Sequence, residues 1–271
     1  MRFSQFPPPP ELTEHVRCFW TVDSGSDAGV PRSFNTVADG FPGALVVLPG
    51  GSTLIDGVKG EMPFAFLYGQ ATTCRTLSAQ GTLRAMGLFF QPPALRTLFG
   101  LKADPLTDAC LDLELTVDGP ALVQALRRAS SAEACMAIWS TYLTERLKAN
   151  ADLIDASIGQ AAQLILQARG DIKLPELCGK LALEERTFER RFKRSVGISP
   201  RLFARIRRFQ HTLHLLRVGD HRKLSDIAYA ADYADQSHYI RSFKEFTGIS
   251  PLEFRRDGRE VVENLVELPP E

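Results

Sequence analysis

The chain contains the stretch Arg190-Arg191-Phe192-Lys193-Arg194-Ser195-Val196-Gly197-Ile198-Ser199-Pro200, and most of it occurs twice. The second copy lies 51 positions later and keeps an arginine, the phenylalanine, the lysine and an unbroken Gly-Ile-Ser-Pro, at Arg241, Phe243, Lys244 and 248–251. Two copies are too few for a solenoid, which needs a stack of repeated units. The stretch therefore predicts a duplicated helical module.

Each residue of the repeat has a role in ending one helix and starting the next. Phe188 and Phe192 are four positions apart, so they share one helix face and are predicted to point inward. Gly197 can adopt the left-handed conformation that ends a helix, while Ser199 and Pro200 suit the N-cap and first turn of the following helix. The second copy repeats these roles with Tyr239, Phe243, Gly248, Ser250 and Pro251.

A basic face lies opposite the predicted core in both copies. It comprises Arg186, Arg190, Lys193 and Arg194 in the first copy and Arg241 and Lys244 in the second, with Gln236, Ser237 and His238 near the start of the second helix. A run of charges is usually only a solvated surface. A structural role alone, however, gives no reason to repeat the basic face together with the core. We therefore favour a binding surface, since Arg and Gln pair with base edges and Lys with phosphate.

The segment before each basic helix completes a helix-turn-helix. Residues 174–181 and 224–231 are short predicted helices, and a short turn leads from each to its basic helix. This arrangement places a second helix in the major groove of DNA. The two predicted modules span about 172–197 and 224–248.

By these motifs, residues ~155–257 resemble the DNA-binding domain of the AraC/XylS family of transcription regulators. The matching residues are Phe188-Glu-Arg190-Arg-Phe192-Lys193, Gly197-Ile-Ser-Pro200, Phe203, Arg208, Ile227-Ala228, Asp235-Gln-Ser-His-Tyr239-Ile-Arg241-Ser-Phe243-Lys244 and Gly248-Ile-Ser-Pro251-Leu-Glu-Phe254-Arg255. Asp232 stands where family members usually carry Gly, and we expect it to tolerate the left-handed turn at some cost. Glu184 replaces a Ser-type N-cap, so the first basic helix is expected to start less firmly.

The resemblance implies a sequence-specific transcription regulator that binds double-stranded DNA and works with RNA polymerase, as an activator in many members. Direct base contacts are predicted for Arg186, Glu189, Arg190, Gln236, Ser237, His238 and Arg241, and phosphate contacts for Lys193 and Lys244. A carboxylate such as Glu189 accepts from cytosine and repels phosphate, so it suits selectivity rather than affinity.

The first half of the chain has a sequence pattern typical of β-strands rather than of helices. Short strands are predicted at 16–22, 44–48, 64–68 and 84–90 between Gly- and Pro-rich turns, with helices at 92–101, about 120–148, and from Ala151 to near Gly170. This half resembles the cupin-like β-barrel sensor domains joined to some AraC-type regulators, in Val16-Arg-Cys-Phe-Trp20, Asp39-Gly40, Gly69-Gln70 and Phe89-Phe90-Gln91-Pro92. The resemblance implies sensing of a small-molecule effector or partner, or homodimerisation.

The predicted fold class is therefore α+β. A β-rich, cupin-like barrel domain with helices is expected over residues 1–150, an all-α domain of two helix-turn-helix modules over 152–257, and an acidic tail over 258–271. A linker helix at 201–218, about 27 Å long, would hold two recognition helices roughly 34 Å apart. Arg205, Arg207 and Arg208 on this helix could contact phosphates or pack against the modules, and the sequence does not separate the two.

Composition and charge agree with this interpretation. The chain has no net charge, yet residues 152–257 carry 19 Lys and Arg against 14 Asp and Glu. The excess of positive charge thus lies in the predicted DNA-binding part, where it would attract phosphate. The five scattered cysteines and the absence of an apolar signal segment or membrane span favour a cytoplasmic protein with reduced thiols. His15 is the only histidine before the helical repeat, which disfavours a metal-dependent cupin enzyme, and no cofactor is predicted.

Two other functions also fit the sequence. One is an enzyme or DNA-repair fusion that carries an AraC-type DNA-binding domain, with a reactive cysteine. The other is a partner-binding protein whose basic helices contact an acidic protein. No cysteine lies in a metal-like cluster that would support the first, salt-dependent binding to duplex DNA would distinguish the second, and no catalytic residue is predicted.

Overall fold

The computed structural model describes residues 2–25, 32–218 and 223–262. The strands are β1 (Arg2–Phe6), β2 (Val16–Asp23), β3 (Arg32–Thr36), β4 (Gly43–Val47), β5 (Leu54–Asp56), β6 (Gly60–Glu61), β7 (Ala65–Tyr68), β8 (Arg75–Ala79), β9 (Arg84–Phe90) and β10 (Cys110–Asp112). The helices are α1 (Ala94–Phe99), α2 (Gly119–Arg128), α3 (Ala132–Ala149), α4 (Ala156–Gln167), α5 (Leu174–Leu181), α6 (Glu185–Val196), α7 (Pro200–Val218), α8 (Leu224–Ala230), α9 (Gln236–Thr247) and α10 (Pro251–Val262). Short 3₁₀ turns lie at Pro10–Leu12, Asp104–Leu106, Leu113–Leu115 and Ala151–Leu153.

The strands form two antiparallel sheets. The larger sheet has the order β1-β2-β9-β4-β7-β10, and the smaller has the order β3-β8-β5-β6. Residues of both sheets line one cavity, so the sheets enclose it between them. The α+β class with a β-rich first half is confirmed. The hydrogen bonds of the described strands run within these two sheets, without joining them into one closed barrel.

The four strands predicted from the sequence are confirmed as β2, β4, β7 and β9. They are the four central strands of the larger sheet, and their side chains are largely buried on both faces. Both faces are covered because the cavity side is capped by the smaller sheet, while Leu95, Leu98 and Trp139 of α1 and α3 belong to the apolar cluster on the other side. Continuous apolar runs such as Arg84–Phe90 follow from this two-sided burial.

The helical part of the first half differs from the prediction in its boundaries. The region expected to be helical at about 120–148 contains two helices, because Ser131 accepts a hydrogen bond from Ala134 N and starts α3 as a new N-cap. The helix expected from Ala151 begins only at Ala156, after a 3₁₀ turn, since Asp155 caps it by accepting from Ile158 N at 3.2 Å.

The helical half contains the two predicted modules. The first is α5 followed by α6, the second is α8 followed by α9, and α7 connects them. Gly197 and Gly248 follow α6 and α9 with φ of 103° and 79°, so both end their helices in the positive-φ region as predicted. Asp232 has φ of 56°, which confirms that it takes the left-handed turn.

The linker helix is confirmed as α7, a continuous helix of 19 residues. Its predicted apolar stripe is buried, and consists of Phe203, Ile206, Phe209, Leu213 and Leu216. One apolar cluster runs from sheet residues such as Trp20 and Phe89 through this stripe to Phe243 in the second module. The helical half therefore shares its core with the cavity side of the sheets, and α10 also packs against β3. The placement of the domain boundaries at 150 and 257 stays a prediction; α10 runs through the second one, and residues 263–271 of the tail lie outside the described part.

Candidate nucleic-acid interface and inter-sheet pocket

Helix α6 exposes a basic face opposite a buried aromatic one. Phe188 and Phe192 are fully buried, with ring centroids 5.5 Å apart, and Phe192 packs on Phe203 of α7. Arg186, Arg190 and Lys193 are exposed on the outer side, as is Arg194. Within the described residues, Arg186, Arg190 and Lys193 form no hydrogen bond or ion pair, so their charges are available to a partner.

The start of α6 differs from that of α9. Glu184 at its N-cap makes no capping hydrogen bond to the backbone, as the sequence predicts. Glu189, the predicted cytosine acceptor, is only partly exposed, and its carboxylate lies 3.8 Å from the guanidinium of Arg201. Arg201 bonds Glu185 more closely, at 2.8 Å, so Glu189 is weakly held and can still change partner.

Helix α9 presents the equivalent face in the second module. Tyr239 and Phe243 are fully buried, while Gln236, Ser237, His238, Arg241 and Lys244 are exposed. Asp235 accepts a hydrogen bond from His238 N at 2.7 Å and caps the helix. The ring of His238 packs edge-on against Tyr233, with centroids 5.2 Å apart, so this side chain is positioned at the helix start.

The three arginines of α7 that the sequence left undecided are all engaged within the protein. Arg205 pairs with Glu245 of α9, with their atoms 2.5 Å apart. Arg208 donates to Asp232 O in the turn of the second module and to Gly170 O before the first. Arg207 is buried and donates to Asp39 O of the first half at 2.9 Å. All three therefore pack against other parts of the protein in this structure.

The C-terminal end of α6 touches the first half of the chain. Ala103 N donates to Arg194 O at 2.9 Å, and Thr107 Oγ1 donates to Gly197 O at 2.8 Å. Two backbone carbonyls that would otherwise be unsatisfied at the end of the helix are thus bonded by the other half. The end of α6 is consequently bonded to the β-rich half.

The two sheets enclose a pocket of about 860 Å³, including its open mouth. Aromatic and aliphatic side chains from the larger sheet form most of one wall: Trp20, Leu45, Phe66, Tyr68 and Phe89. The smaller sheet contributes Asp56, Arg75 and Leu77, and the segment between β3 and β4 contributes Asp39 and Phe41. This predominantly apolar lining with a few polar groups is typical of a small-molecule site.

Few polar groups face this pocket, and most are paired with one another. Arg75 bonds Asp56 at 3.3 Å and also donates to Asp108 O. Burial opposes ionisation of Asp56, but the N–H groups of Val58 and Lys59 and the charge of Arg75 outweigh it and hold its pKa below the ordinary value. Burial raises the pKa of Asp39 to about 6, although Phe41 N–H and the charges of Arg207 and Arg17 act in the opposite direction.

Two side chains that line the pocket have an unmet hydrogen-bonding atom among the described residues: the donor is Trp20 Nε1, and the acceptor belongs to Gln70. Gln70 is fully buried, and its Nε2 donates to Gly40 O at 3.0 Å. Its Oε1 has no hydrogen-bond partner among the described residues. The sequence did not assign the effector-binding residues. Its one signal for this site was the resemblance of Asp39-Gly40 and Gly69-Gln70 to the corresponding motifs of AraC-type sensor domains.

Among the helices of the described ranges, none combines the length and the apolar character that crossing a membrane requires.

Two families match different parts of the chain. Residues 177–257 match a helix-turn-helix domain family, and residues 4–112 match a domain of unknown function, DUF6597. The transcriptional activator RhaS of Yersinia pestis (strain Pestoides F) is 31% identical over 84 residues, which are 31% of this chain and 30% of RhaS. RhaS of Escherichia fergusonii is 32% identical over the same length, with the same coverage of both chains. The match thus spans less than a third of these curated relatives.

Among solved structures, the chain is similar to ToxT from Vibrio cholerae, with 16% identity and a TM-score of 0.46 over 88% of this chain and 98% of ToxT. It is also similar to the DNA-binding domain of AdpA in complex with a target DNA, with 20% identity and a TM-score of 0.36 over 38% of this chain and 93% of that domain. The helix-turn-helix match over residues 177–257 and the similarity to RhaS confirm the resemblance of this part of the chain to AraC/XylS-type transcription regulators.

Proposed function

We propose that this protein is a sequence-specific, non-enzymatic transcription regulator of the AraC type, which binds double-stranded DNA through α6 and α9 in successive major grooves. The observation that carries the proposal is the equivalence of the two helices. Arg190 and Arg241 occupy matching positions, both exposed, on helices whose Phe192 and Phe243 are fully buried. A helix that buries its aromatic face and exposes unpaired arginines is suited to base contacts in a major groove.

Each predicted contact residue has a role in this proposal. Bases would be contacted by Arg186, Glu189, Arg190, Gln236, Ser237, His238 and Arg241, and phosphates by Lys193 and Lys244. Base contacts specify the sequence, whereas phosphate contacts position the protein. The weak Arg201 contact of Glu189 supports its role as a selectivity residue, because the carboxylate can leave Arg201 at little cost.

The first half would supply regulation in this proposal. The inter-sheet pocket has the apolar lining of a small-molecule site, and the bonds from Ala103 and Thr107 link this half to α6. We further propose that residues 1–150 sense an effector or mediate homodimerisation, that residues 152–257 bind DNA, and that the DNA-bound protein acts on RNA polymerase in the cytoplasm.

Binding of arginine variants to a selected duplex tests the base contacts. The duplex is first recovered by selection with the whole chain, and its single-base-pair variants are then measured. Arg190→Ala and Arg241→Ala should each weaken binding by about 1–3 kcal/mol and relax the preference at different positions, about 10 base pairs apart. Lys193→Ala should weaken all duplexes alike and lower the salt dependence by about one unit.

Lys148→Ala serves as the control, because Lys148 is exposed on α3, in the other half of the chain. It should leave affinity and preference unchanged. If both arginine variants keep the wild-type sequence preference, the two-groove proposal is wrong.

A fragment tests the division of labour. Residues ~152–257 should bind the selected duplex, since they carry both basic helices and an excess of positive charge. The part of α7 that contacts Asp39 and Gly40 becomes exposed in this fragment, so the thermal stability of the fragment should be lower than that of the whole chain. A helical fragment without affinity for DNA at low salt contradicts the assignment.

A further inference from the structure

We propose that the inter-sheet pocket binds an apolar molecule with a hydrogen-bond-donating head, either an amine or an alcohol. Gln70 Oε1 and the Asp39 carboxyl group hold this head, and the segment Ala38–Phe41 transmits ligand binding to α7. This inference rests on the proposed function and names the ligand class and the route of regulation.

The head group follows from the unsatisfied acceptor. The orientation of the Gln70 amide is fixed, because its Nε2 must face Gly40 O, and this leaves Oε1 as the buried atom without a partner. Leaving a buried acceptor unmet is costly, so a ligand that donates to it gains that energy on binding. The Asp39 side chain lines the same pocket and bonds to Phe41 N with one oxygen.

The charges around the pocket disfavour an anion. Its lining contains the carboxylates of Asp39, Asp56 and Asp108, and one cation, Arg75. Arg75 is already paired with Asp56 and also bonds Asp108 O, so the charge of this cation is largely balanced within the protein. The aromatic wall of Trp20, Phe66, Tyr68 and Phe89 favours an apolar body, and aromatic rings also attract an ammonium group.

A single segment, Ala38–Phe41, lies between the pocket and α7. On its pocket side, Ala38–Phe41 presents the side chains of Asp39 and Phe41. On its other side, Gln210 of α7 donates to Ala38 O, and Arg207 of α7 donates to Asp39 O. The Arg207 guanidinium also lies 5.1 Å from the centre of the Phe41 ring.

Gly40 brings this segment against the linker helix. It has φ of 85°, and a Cβ at this position would lie 3.1 Å from Arg207 and 3.2 Å from Phe203. The Gly40 carbonyl meanwhile accepts from Gln70. A ligand that moves Gln70 or Asp39 therefore moves a backbone in direct contact with the helix that joins the two DNA-binding modules.

Calorimetry of the whole chain with three probes of the same body tests the ligand class: phenylbutylamine, phenylbutanol and phenylbutyrate. The amine and the alcohol should bind at least about tenfold more tightly than the carboxylate. Asp39→Asn keeps an acceptor for Phe41 N but loses the charge, so it should weaken the amine more than the alcohol. Asp152→Asn, an exposed aspartate outside the pocket, is the matched control and should change nothing. Failure of both donors to bind, or equal binding of the carboxylate, overturns the ligand class.

The route is tested with the selected duplex. Saturating amine should change the DNA affinity of the wild type by at least about threefold. Arg207→Met keeps the apolar stem and removes the bond to Asp39 O, so this variant should bind the amine normally while its DNA affinity no longer responds. Arg217→Met, on the exposed side of the same helix, should respond like the wild type. If Arg207→Met responds fully, the route is wrong. If DNA binding persists but the probes do not bind, the regulator function stands and only this inference fails.

Discussion

The two helix-turn-helix modules share a sequence motif but differ in their surroundings. The C-terminal end of α6 is bonded to the β-rich half through Ala103 and Thr107, and a Cβ on Gly197 would lie 3.1 Å from Ala103 O. The contacts of α9 run to α7, α8 and α10, and a Cβ on Gly248 would meet no atom within 4 Å. The N-termini differ as well, since Asp235 caps α9 whereas Glu184 makes no cap for α6.

This difference shows how one motif can serve two purposes after duplication. The glycine that ends each helix is required by backbone conformation in both modules. In the first module, the absence of a side chain also allows the other half of the chain to approach. The first module is therefore placed to respond to the β-rich half, while the main contacts of α9 are with α7, α8 and α10.

The largest expected loss of stability comes from truncating the core phenylalanines, and it should be equal in the two modules. Phe192→Ala and Phe243→Ala should each lower the free energy of unfolding by about 3–5 kcal/mol, because both side chains are fully buried and leave a cavity. Chemical denaturation of the whole chain measures the change. Phe192→Leu and Phe243→Leu, which retain most of the volume, should cost much less. A loss confined to one module contradicts the structural equivalence of the two cores.

The terminal glycines should separate the modules. Gly248→Ala should cost about 1–2 kcal/mol, from left-handed strain alone. Gly197→Ala should cost about 1–3 kcal/mol more, since the methyl group also presses on Ala103 O and Thr107 Oγ1. Gly159→Ala in α4 is the control, because no atom obstructs it and helical alanine is favoured by about 0.5–1 kcal/mol. Equal losses at Gly197 and Gly248 would show that the contact with the β-rich half is not tight.

The smallest effect concerns the helix caps. Asp235→Ala should lower stability by about 1 kcal/mol, because it removes the acceptor for His238 N. Glu184→Ala should have almost no effect, whereas Glu184→Ser should raise stability by up to about 1 kcal/mol. Thermal melts of the three variants provide the measurement. A clear loss in Glu184→Ala would mean that this residue stabilises α6 in another way.

The modules were predictable because their signals are local. Helix stops, caps and inward aromatic positions are set within a few residues, and the structure confirms them at Gly197, Gly248 and Asp232. The broken helix at Ser131 and the late start at Ala156 were not predicted. In each case one N-cap residue sets where the helix begins, although the apolar periodicity of the sequence continues across that point.

The pocket and the contact between the halves could not be predicted in the same way. Asp39 and Arg207 are 168 residues apart in sequence, and their bond depends on how the sheets pack on α7. The smaller sheet was also missed, because its strands are short and partly polar, so they lack a clear alternation. The roles of the nine predicted DNA-contacting residues remain predictions.

The unbroken course of α7 has a consequence for the DNA that such a protein can use. Inserting one base pair between the two contacted segments shifts the far segment by about 3.4 Å and rotates it by roughly 35° around the duplex axis. A helix of 19 residues with a buried apolar stripe has no hinge to follow that rotation. Inserting a whole turn restores the angle but not the distance. The binding site should therefore be locked in phase, with its two halves recognised at a single spacing.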